Sequence, residues 1–342
     1  MNIQFSIIIV TWNGLHHLKK FLPSVCKSKY EHVEIIIADN ASEDDTVKWV
    51  NKEYPECKTV TFDNNYGYAG GNNRAVKYAS GDVLIFLNND VEVDEDWLAA
   101  LSKSFQENDA DIVQPKMRSF KEPEYFEYAG AAGGLIDKLG YTFCRGRLFN
   151  HIEKDNGQFD EPAEIFWASG AALAIKKDLF TDVGGFDESF EFHMEEIDLC
   201  WRCLKRGANI RYEPKSIVYH LGGGSLKKND PQKTFYNYRN SLLMLTKNLD
   251  SFLAPKLFFR RVLDGISGLR SLLSGRPAET FAIIKSHFAY YSMLPEAIRK
   301  RKKNRIESAQ PTPKNLVYNK LIIFDVFLKG KKTYSELDGY RE

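Results

Sequence analysis

Five apolar residues, from Val83 to Leu87, are followed directly by Asn88, Asn89 and Asp90. A short apolar run bounded by polar residues predicts a strand that is buried on both faces of a sheet. Ligands of open α/β sheets bind outside the carboxyl ends of the strands, where these three polar side chains would lie. Their oxygens suit Mg²⁺ or Mn²⁺. A turn rich in Asn and Asp that caps the next helix is the alternative.

The bulk composition excludes several classes of protein. The chain has 342 residues, of which 43% are hydrophobic and 27% charged, so it is globular and long enough for one large α/β domain or two smaller ones. A net charge of +1 argues against nucleic acid as a partner. Five scattered cysteines fit a reducing compartment. Without a signal peptide or a spanning apolar run, we expect a cytoplasmic protein, or one attached peripherally to the inner face of the cell membrane.

Strands alternate with helices over about the first 115 residues, which predicts a mostly parallel α/β sheet with helices on both faces. Three predicted strands end in polar residues, namely Thr11-Trp12-Asn13, Asp39-Asn40 and Asn88-Asn89-Asp90. Because the carboxyl ends of parallel strands meet at one edge, we expect a ligand crevice there.

A glycine-rich loop is predicted at 64–73, with a helix following it to residue 79. It includes Gly70, Gly71, Asn72 and Asn73, and it does not match the dinucleotide-binding fingerprint, which should follow the first strand. We expect these glycines to let the backbone approach a sugar or diphosphate, with the N-terminus of the helix facing negative charge.

Acidic residues reappear in the second half of the chain. No regular structure is predicted at 118–162, which we interpret as substrate loops. Strands are predicted at 166–175, 209–212 and 217–220. Between them Glu195, Glu196 and Asp198 begin a helix, where the macrodipole favours acids, but the aromatic residues before them favour a buried, functional role. His220 ends the last predicted strand and faces the other polar strand ends, which suits a ligand.

From residue 230 onward the pattern is helical and without strands. Arg239 suits phosphate recognition and would close over a diphosphate, unless its helix face is merely solvated. Between 254 and 305 basic residues outnumber acidic ones about four to one by count and alternate with aromatic residues. This predicts amphipathic helices on an anionic membrane surface. Packing on the catalytic domain and a homodimer contact are the alternatives. The apolar segment 321–327 is expected to dock.

Together these motifs resemble the family 2 inverting glycosyltransferases of the GT-A fold, most closely the rhamnosyltransferase-like branch. The matching segments stand in the expected order over about residues 5–245: Ser6–Asn13, Asp39–Ser42, Asn65–Asn73, Leu87–Asp90, Trp167–Ala172, Gly184–Asp187, Glu195–Arg202 and His220. The resemblance implies a GT-A (Rossmann-like) catalytic domain over 1–229, with a nucleotide-sugar half at about 1–115 and an acceptor half at 116–229. A helical C-terminal region over 230–342 would follow.

The resemblance also implies the reaction. A sugar, with rhamnose from dTDP-rhamnose favoured, would pass from a nucleoside diphosphate to a glycan or polyisoprenoid-linked acceptor in cell-surface polysaccharide synthesis. The displacement at the anomeric carbon would be direct and dependent on Mg²⁺ or Mn²⁺. Asp90 would hold the metal, with His220 as a second metal or diphosphate contact. Glu196 would be the general base, and Glu195 or Asp198 would be the alternatives.

The expected donor-binding residues follow from the same motifs, apart from Arg239, which lies in the helical region. They are Thr11, Trp12, Asn13, Asp39, Asn40, Gly70, Gly71, Asn72, Asn73, Asn88, Asn89, Trp167 and Arg239.

Two departures from the family pattern have consequences. Asn88-Asn89 leaves Asp90 as the one carboxylate of the metal motif, so metal binding should depend on the donor. Glu instead of Asp at position 196 adds a methylene, and a shift of about 1 Å matters for a positioned base. A non-catalytic scaffold of the same fold that binds a nucleotide sugar or glycan is therefore an alternative. A nucleotidyltransferase would show a basic, glycine-rich loop after the first strand, which Thr11-Trp12-Asn13-Gly14 is not.

Overall fold

Strands and helices alternate through the first half of the protein, and helices dominate its C-terminal third. The computed structural model describes residues 3–222 and 230–337. The strands are β1 (Phe5–Thr11), β2 (Val33–Asp39), β3 (Lys58–Thr61), β4 (Val83–Leu87), β5 (Val91–Val93), β6 (Ile112–Ser119), β7 (Gly134–Asp137), β8 (Thr142–Cys144), β9 (Arg147–Leu148), β10 (His151–Ile152), β11 (Ala163–Glu164), β12 (Ala172–Lys176), β13 (Ile210–His220) and β14 (Val317–Tyr318). The helices are α1 (Leu15–Cys26), α2 (Thr46–Glu53), α3 (Gly67–Ala75), α4 (Trp97–Glu107), α5 (Lys177–Asp182), α6 (Glu195–Lys205), α7 (Pro231–Asn248), α8 (Leu253–Leu273), α9 (Pro277–Glu307) and α10 (Ile322–Phe327).

Nine strands form the main sheet, in the order β11-β13-β6-β12-β4-β1-β2-β3, with β5 paired to β13. The β1–β2, β2–β3, β1–β4 and β6–β13 pairs are parallel, whereas β12 is antiparallel to both of its neighbours. The predicted α/β class is confirmed.

The central strands are buried on both faces, as predicted for β4. In β1, Ile8 packs into a core with residues of α3, α6 and α7, whereas Ile7 and Ile9 pack into a second core with α1 and α4. Because side chains alternate along a strand, each apolar strand supplies both cores. Helices therefore cover both faces of the sheet below its polar edge.

Three predicted boundaries are wrong. The predicted loop at 64–73 is already helical from Gly67, because α3 packs closely on the sheet. The strand predicted at 166–175 begins only at Ala172. The strands predicted at 209–212 and 217–220 are one strand, β13, whose register shifts between Glu213 and Ile217 around Pro214. A bulge is where a strand tolerates a proline.

Residues 118–162 contain more regular structure than their sequence predicts. β7 to β10 form a small second sheet, which β14 of the C-terminal region completes by pairing in parallel with β7. The prediction of a C-terminal region without strands is therefore wrong. The expected docking of 321–327 is confirmed in part: Ile322 and Val326 of α10 are buried, but Phe327 is 54% exposed.

The C-terminal helices pack on one another and on the catalytic part of the chain. α7 contacts α6, α8 and α9. Among the residues that the structure describes, no helix combines the length and apolar character that crossing a bilayer requires. The division predicted between residues 229 and 230 stays a prediction, since 223–229 lie outside the described residues.

Gly134 provides a test of this packing. A Cβ added to Gly134 would lie 2.1 Å from the ring of Trp167, whereas a Cβ on Gly265 of α8 would meet no atom within 4 Å. We expect Gly134→Ala to lower the free energy of unfolding by about 1–3 kcal/mol, because it overpacks a buried contact. The matched control Gly265→Ala should raise it by about 0.5–1 kcal/mol. Denaturant unfolding measures both, and equal effects would contradict the close Gly134–Trp167 contact.

Candidate functional site

The polar ends of three strands meet at one edge of the sheet. Thr11 and Asp39 are register partners in the parallel β1–β2 pair, and the backbone N–H of Asn40 donates to the Thr11 carbonyl at 2.8 Å. On the other side of β1, Asn89 Nδ2 donates to Thr11 Oγ1 at 3.0 Å. Residues of all three strand ends therefore lie together at the edge where the sequence predicts a crevice.

The turn after β1 is tied to the loop after β2. Asn13 is in the left-handed region with φ 49°. Its N–H donates to Ser42 Oγ and its Oδ1 accepts from the N–H of Glu43, both at 2.8 Å. Trp12 is 56% exposed, so its indole face is open beside the crevice. The predicted contacts of these residues with a nucleotide stay predictions.

Among the described residues, seven buried side-chain oxygens have no hydrogen-bond partner, and five of the seven belong to predicted site residues. These five are Asp39 Oδ1, Asn40 Oδ1, Asn72 Oδ1, Glu195 Oε2 and Glu196 Oε2. Buried polar atoms in folded proteins are nearly always paired. Such a concentration therefore points to a polar ligand that supplies hydrogen-bond donors or a cation.

The glycines of α3 allow the helix to lie close to the sheet. A Cβ on Gly71 would lie 2.8 Å from Val10 and 2.9 Å from the Asn40 amide, and one on Gly70 would lie 3.0 Å from Tyr66. Asn40 Nδ2 in turn donates to the carbonyl of Gly67 at 3.0 Å. The close approach of Val10 and Asn40 leaves no room for a side chain at Gly71. The donor contacts predicted for both glycines are untested.

Two asparagines of α3 make different contacts. Asn72 is buried and donates to the Tyr68 carbonyl at 3.0 Å, which leaves its Oδ1 free. Asn73 both donates to and accepts from the backbone of Phe186, at 2.9 Å each, so its amide fixes the turn after α5. Of the two, Asn72 has the unused acceptor.

Asp90 and His220 lie side by side although 130 positions separate them in the sequence. The antiparallel β5–β13 pair puts His220 opposite Val91, and the N–H of Leu221 donates to the Asp90 carbonyl at 3.0 Å. His220 Nε2 is 3.2 Å from Asp90 Oδ1, and both side chains are buried. The structure therefore brings together the two predicted metal contacts.

Glu127 is a residue of this site that sequence reasoning missed. It lies between β6 and β7, and its Oε1 is 3.3 Å from His220 Nδ1. Burial acts to lower the pKa of His220, but the carboxylates of Glu127 and Asp90 raise it to about 10. An acid within an aromatic stretch carries no periodic signal, so only the folded topology reveals this neighbour.

Two of the three candidate base residues, Glu195 and Glu196, begin α6 after a strained approach. His193 and Met194 are consecutive non-glycine residues with φ 66° and 75°. Such a conformation costs of order 1–3 kcal/mol per residue and persists only where the surroundings hold it. Here Asn240 Nδ2 of α7 donates to the carbonyls of Phe192 and His193, at 2.6 and 2.9 Å. α7 thereby holds the lead-in to Glu195.

Glu195 and Glu196 differ in their acidity. Burial raises the pKa of Glu195 well above its usual range, and the neighbouring charge of Glu196 adds to this. Burial raises the pKa of Glu196 to about 7. Two acids whose pKa values are pushed apart in this way can take different roles, one neutral and one able to accept a proton near neutral pH.

Both carboxylate oxygens of Asp198 accept hydrogen bonds from neighbouring side chains. Its Oδ1 accepts from Lys247 Nζ and from Asn248 Nδ2, both at 2.7 Å, and its Oδ2 accepts from Arg202 Nε at 2.9 Å. Burial alone would raise the pKa of Asp198, but the two cations lower it. A carboxylate held by two cations and an amide is poorly suited to accept a proton from a substrate.

Two predicted donor-binding residues, Arg239 and Trp167, form hydrogen bonds with other protein groups. Arg239 is buried in α7 and contacts Asn240 Oδ1 at 2.9 Å and Glu191 Oε1 at 3.4 Å, so it also holds the segment before α6. Trp167 is 3% exposed, and its indole N–H donates to the Leu135 carbonyl at 2.9 Å. Both side chains support the loops around the crevice in this structure.

A chain of direct contacts joins the Asp90 side of the crevice to the Glu196 side. The N–H of Asn88 donates to the Ala171 carbonyl at 3.0 Å. A Cβ on the adjacent Gly170 would lie 3.6 Å from Glu196 Cβ. The hydroxyl of Tyr68 donates to the carbonyl of the same Gly170 at 2.6 Å.

The charges of acids from both sides act on one buried thiol. The thiol of Cys144 is buried, which raises its pKa. Arg147 acts to lower it, and the carboxylates of Glu127 and Glu196 both add to the increase. Glu127 and Glu196 therefore lie in the same part of the molecule, and residues 170–171 connect the Asp90 side to the Glu196 side.

Two other features do not belong to this site. Among the described residues, one cluster of three potential metal ligands has its ligand atoms within 4.8 Å of one another, formed by Cys26, Glu56 and Cys57. It lies at the amino ends of the strands, the edge opposite the crevice. An open cavity of about 460 Å³ shares no lining residue with the crevice; it is bordered by Asn150 to Lys154 and by Thr333, among others.

The chain is similar in sequence to several named proteins. The chain is 26% identical over 291 residues to N-acetylglucosaminyl-diphospho-decaprenol L-rhamnosyltransferase from Mycobacterium tuberculosis, covering 79% of this chain and 92% of that one. It is 23% identical over 260 residues to dTDP-rhamnosyl transferase RfbF from Shigella flexneri, covering 72% and 82%. The match to O-antigen biosynthesis protein RfbC from Myxococcus xanthus, 28% identical over 210 residues, covers 57% of this chain but 15% of that protein.

The fold is also that of a solved glycosyltransferase. The structure of GalNAc-T7 with UDP, GalNAc and Mn²⁺ aligns with a TM-score of 0.64 at 16% identity, covering 96% of this chain and 57% of that one. The family model for glycosyl transferase family 2 matches residues 6–183, which is more than half of the chain. This protein belongs to glycosyl transferase family 2.

Proposed function

We propose that this glycosyltransferase moves a sugar, with inversion and with a divalent metal, from a nucleoside diphosphate donor to a glycan or lipid-linked glycan acceptor in cell-surface polysaccharide synthesis. The names of two relatives, a decaprenol-linked L-rhamnosyltransferase and a dTDP-rhamnosyl transferase, favour dTDP-rhamnose as the donor. The observation that carries the proposal is the buried contact between Asp90 and His220, to which residues 170–171 connect the buried Glu195–Glu196 pair.

The residues on the Asp90 side fit a divalent cation. Asp90 Oδ1 and His220 Nε2 are 3.2 Å apart, buried, and at strand ends. Mn²⁺ binds both carboxylate oxygens and imidazole nitrogens, and Mg²⁺ binds carboxylate oxygens. With a single carboxylate, the pair would hold a cation already bound to a diphosphate. Such a cation neutralises the charge that develops on the leaving nucleoside diphosphate.

On the opposite side, Glu196 is our choice for the base. A sugar hydroxyl is a poor nucleophile, so a carboxylate must remove its proton as the bond forms. The pKa of Glu196, raised by burial to about 7, suits this task near neutral pH. Glu195 would stay protonated and neutral beside it. Asp198 would orient α6 through Lys247 and Arg202 and take no proton.

Exposed apolar stripes on the C-terminal helices support a membrane-associated protein on the cytosolic side. In α8 the stripe contains residues three or four positions apart: Phe259, Val262, Ile266, Leu269 and Leu273. In α9 it contains Phe281, Ile284, Phe288, Tyr291 and Ile298. All ten side chains are at least 41% exposed. Apolar surface of this extent marks an interaction site.

The charge around the stripes favours lipid over a second copy of the chain. Residues 254–305 carry twelve Lys and Arg but three Asp and Glu. Two such faces would repel each other in a homodimer, whereas an anionic bilayer attracts them. Arg270 also lies 5.3 Å from the ring of the exposed Phe327, which extends the apolar surface to α10.

Contacts of α7 connect the striped helix α8 to the segment that contains Glu127. Tyr238 of α7 donates to Ser267 of α8 at 2.6 Å, so the C-terminal end of α8 lies beside the first half of α7. In the same half of α7, Lys233 lies 5.7 Å from the ring of Tyr128, the neighbour of Glu127. A membrane under the stripes would therefore bring a lipid-linked acceptor close to the crevice.

We expect Glu196→Gln to reduce turnover by about 10²–10⁴-fold, because it removes the proton acceptor. Donor binding should survive. Glu195→Gln should retain measurable turnover, since glutamine reproduces a neutral carboxylic acid. Transfer assays with thermal-shift measurement of donor binding test both variants. If Glu195→Gln abolished turnover and Glu196→Gln retained it, the base would be Glu195. A wild type that binds donor but never consumes it would favour the scaffold alternative.

The pH dependence of kcat/KM gives a separate check on the base. A base with a pKa of about 7 is ionised above that pH and protonated below it. We expect kcat/KM to fall about tenfold for each pH unit below about 7, and to level off above it. A profile that stays flat from pH 5 to 8 would contradict the proposed ionisation of Glu196.

Vesicle binding tests the membrane surface. The full chain should sediment with phosphatidylglycerol-containing vesicles at low salt, much less with pure phosphatidylcholine, and be released by high salt, because charge and apolar contact act together. The double variant Ile266→Ser/Phe288→Ser should weaken binding, whereas Ile152→Ser, outside the stripes, should not. If the wild type ignores vesicles and the double variant converts a dimer to a monomer in light scattering, the stripes are a homodimer interface instead.

A further inference from the structure

A buried row of three side chains crosses the end of β13. His220 occupies the centre, with Asp90 Oδ1 3.2 Å from Nε2 on one side and Glu127 Oε1 3.3 Å from Nδ1 on the other. The three residues are each 6–7% exposed. The imidazole is therefore held between two carboxylates, one on each ring nitrogen.

Glu127 is itself held in place. The N–H of Ala129 donates to its Oε2, and its own N–H donates to the Met117 carbonyl at 2.9 Å. Gly222, with φ +65°, leaves the space beside Oε1, since a Cβ there would lie 3.0 Å from that oxygen. The backbone on both sides thus fixes which oxygen Glu127 presents to the imidazole.

Histidines that bind metals usually donate their second ring N–H to a carboxylate or carbonyl. This partner fixes the tautomer and the ring orientation, and its loss typically costs 10–100-fold in metal affinity. In the present row, a cation that binds Nε2 would displace the proton there, and the proton that remains on Nδ1 would face Glu127. That is the tautomer that a metal shared with Asp90 requires.

We propose that Glu127 is a positioning residue that orients His220 for a divalent cation bound between His220 and Asp90. This inference rests on the proposed function, because it presupposes the metal. Glu127 acts through the imidazole and does not touch the cation, since it faces the opposite ring nitrogen. Its second oxygen is taken by Ala129, so it is also badly placed to serve as a base for the acceptor.

The test is Mn²⁺ binding to the full-length protein in the presence of dTDP, followed through the electron paramagnetic resonance signal of free Mn²⁺. Glu127→Ala should raise the Mn²⁺ dissociation constant about 10–100-fold. Glu127→Gln should restore part of the affinity, because its amide oxygen can take the place of the carboxylate oxygen beside Nδ1. Glu124→Gln, an exposed neighbour in the same segment, is the matched control and should bind as the wild type does.

A double-variant cycle separates positioning from general structural damage. In a His220→Asn background, adding Glu127→Ala should cause little further loss, because Glu127 would act through the ring that is gone. Equal loss in both backgrounds, or an unchanged affinity in Glu127→Ala alone, would overturn the inference. A wild type that binds no Mn²⁺ with dTDP would instead overturn the metal in the proposed function.

Discussion

The pairing of the short strand β5 with the end of β13 is the interaction on which the site depends. Antiparallel register sets Val91 opposite His220, and the residue before β5 is Asp90. A shift of one residue would turn His220 to the other face of the sheet. The apolar run of β4 sets where Asp90 emerges, and the parallel β6–β13 pair sets where His220 ends. The metal side of the proposed site is therefore a consequence of strand register.

The other side of the crevice depends on α7, which belongs to the C-terminal region. Asn240 holds the left-handed residues before α6, and Lys247 pairs with both Asp187 and Asp198, at 2.5 and 2.7 Å. Removing one partner from a buried ion pair is strongly destabilising, because it leaves an uncompensated charge. The helices that carry the exposed stripes are thus joined through α7 to the segment that positions Glu196. The C-terminal region therefore supports the framework of the proposed site.

Much of the fold followed from the sequence, because long apolar strands and amphipathic helices leave strong periodic signals. The convergence of Thr11, Asp39 and Asn89 followed from the rule that parallel strands end at one edge. The start of α3 did not, because glycines disfavour a helix and only tertiary packing against β1 overrides that preference. β13 was predicted as two strands because Pro214 interrupts its pattern. Glu127 was missed because its partner His220 is distant in sequence, and no local pattern marks such a contact.

The most direct test of the central claim is the position of the metal in a crystal of the protein grown with dTDP and Mn²⁺. Anomalous diffraction at the manganese edge locates the ion independently of any assumed mechanism. The proposed site predicts one strong peak within coordination distance of Asp90 and His220. A peak at Cys26, Glu56 and Cys57, or a nucleotide bound without manganese beside Asp90, would contradict it.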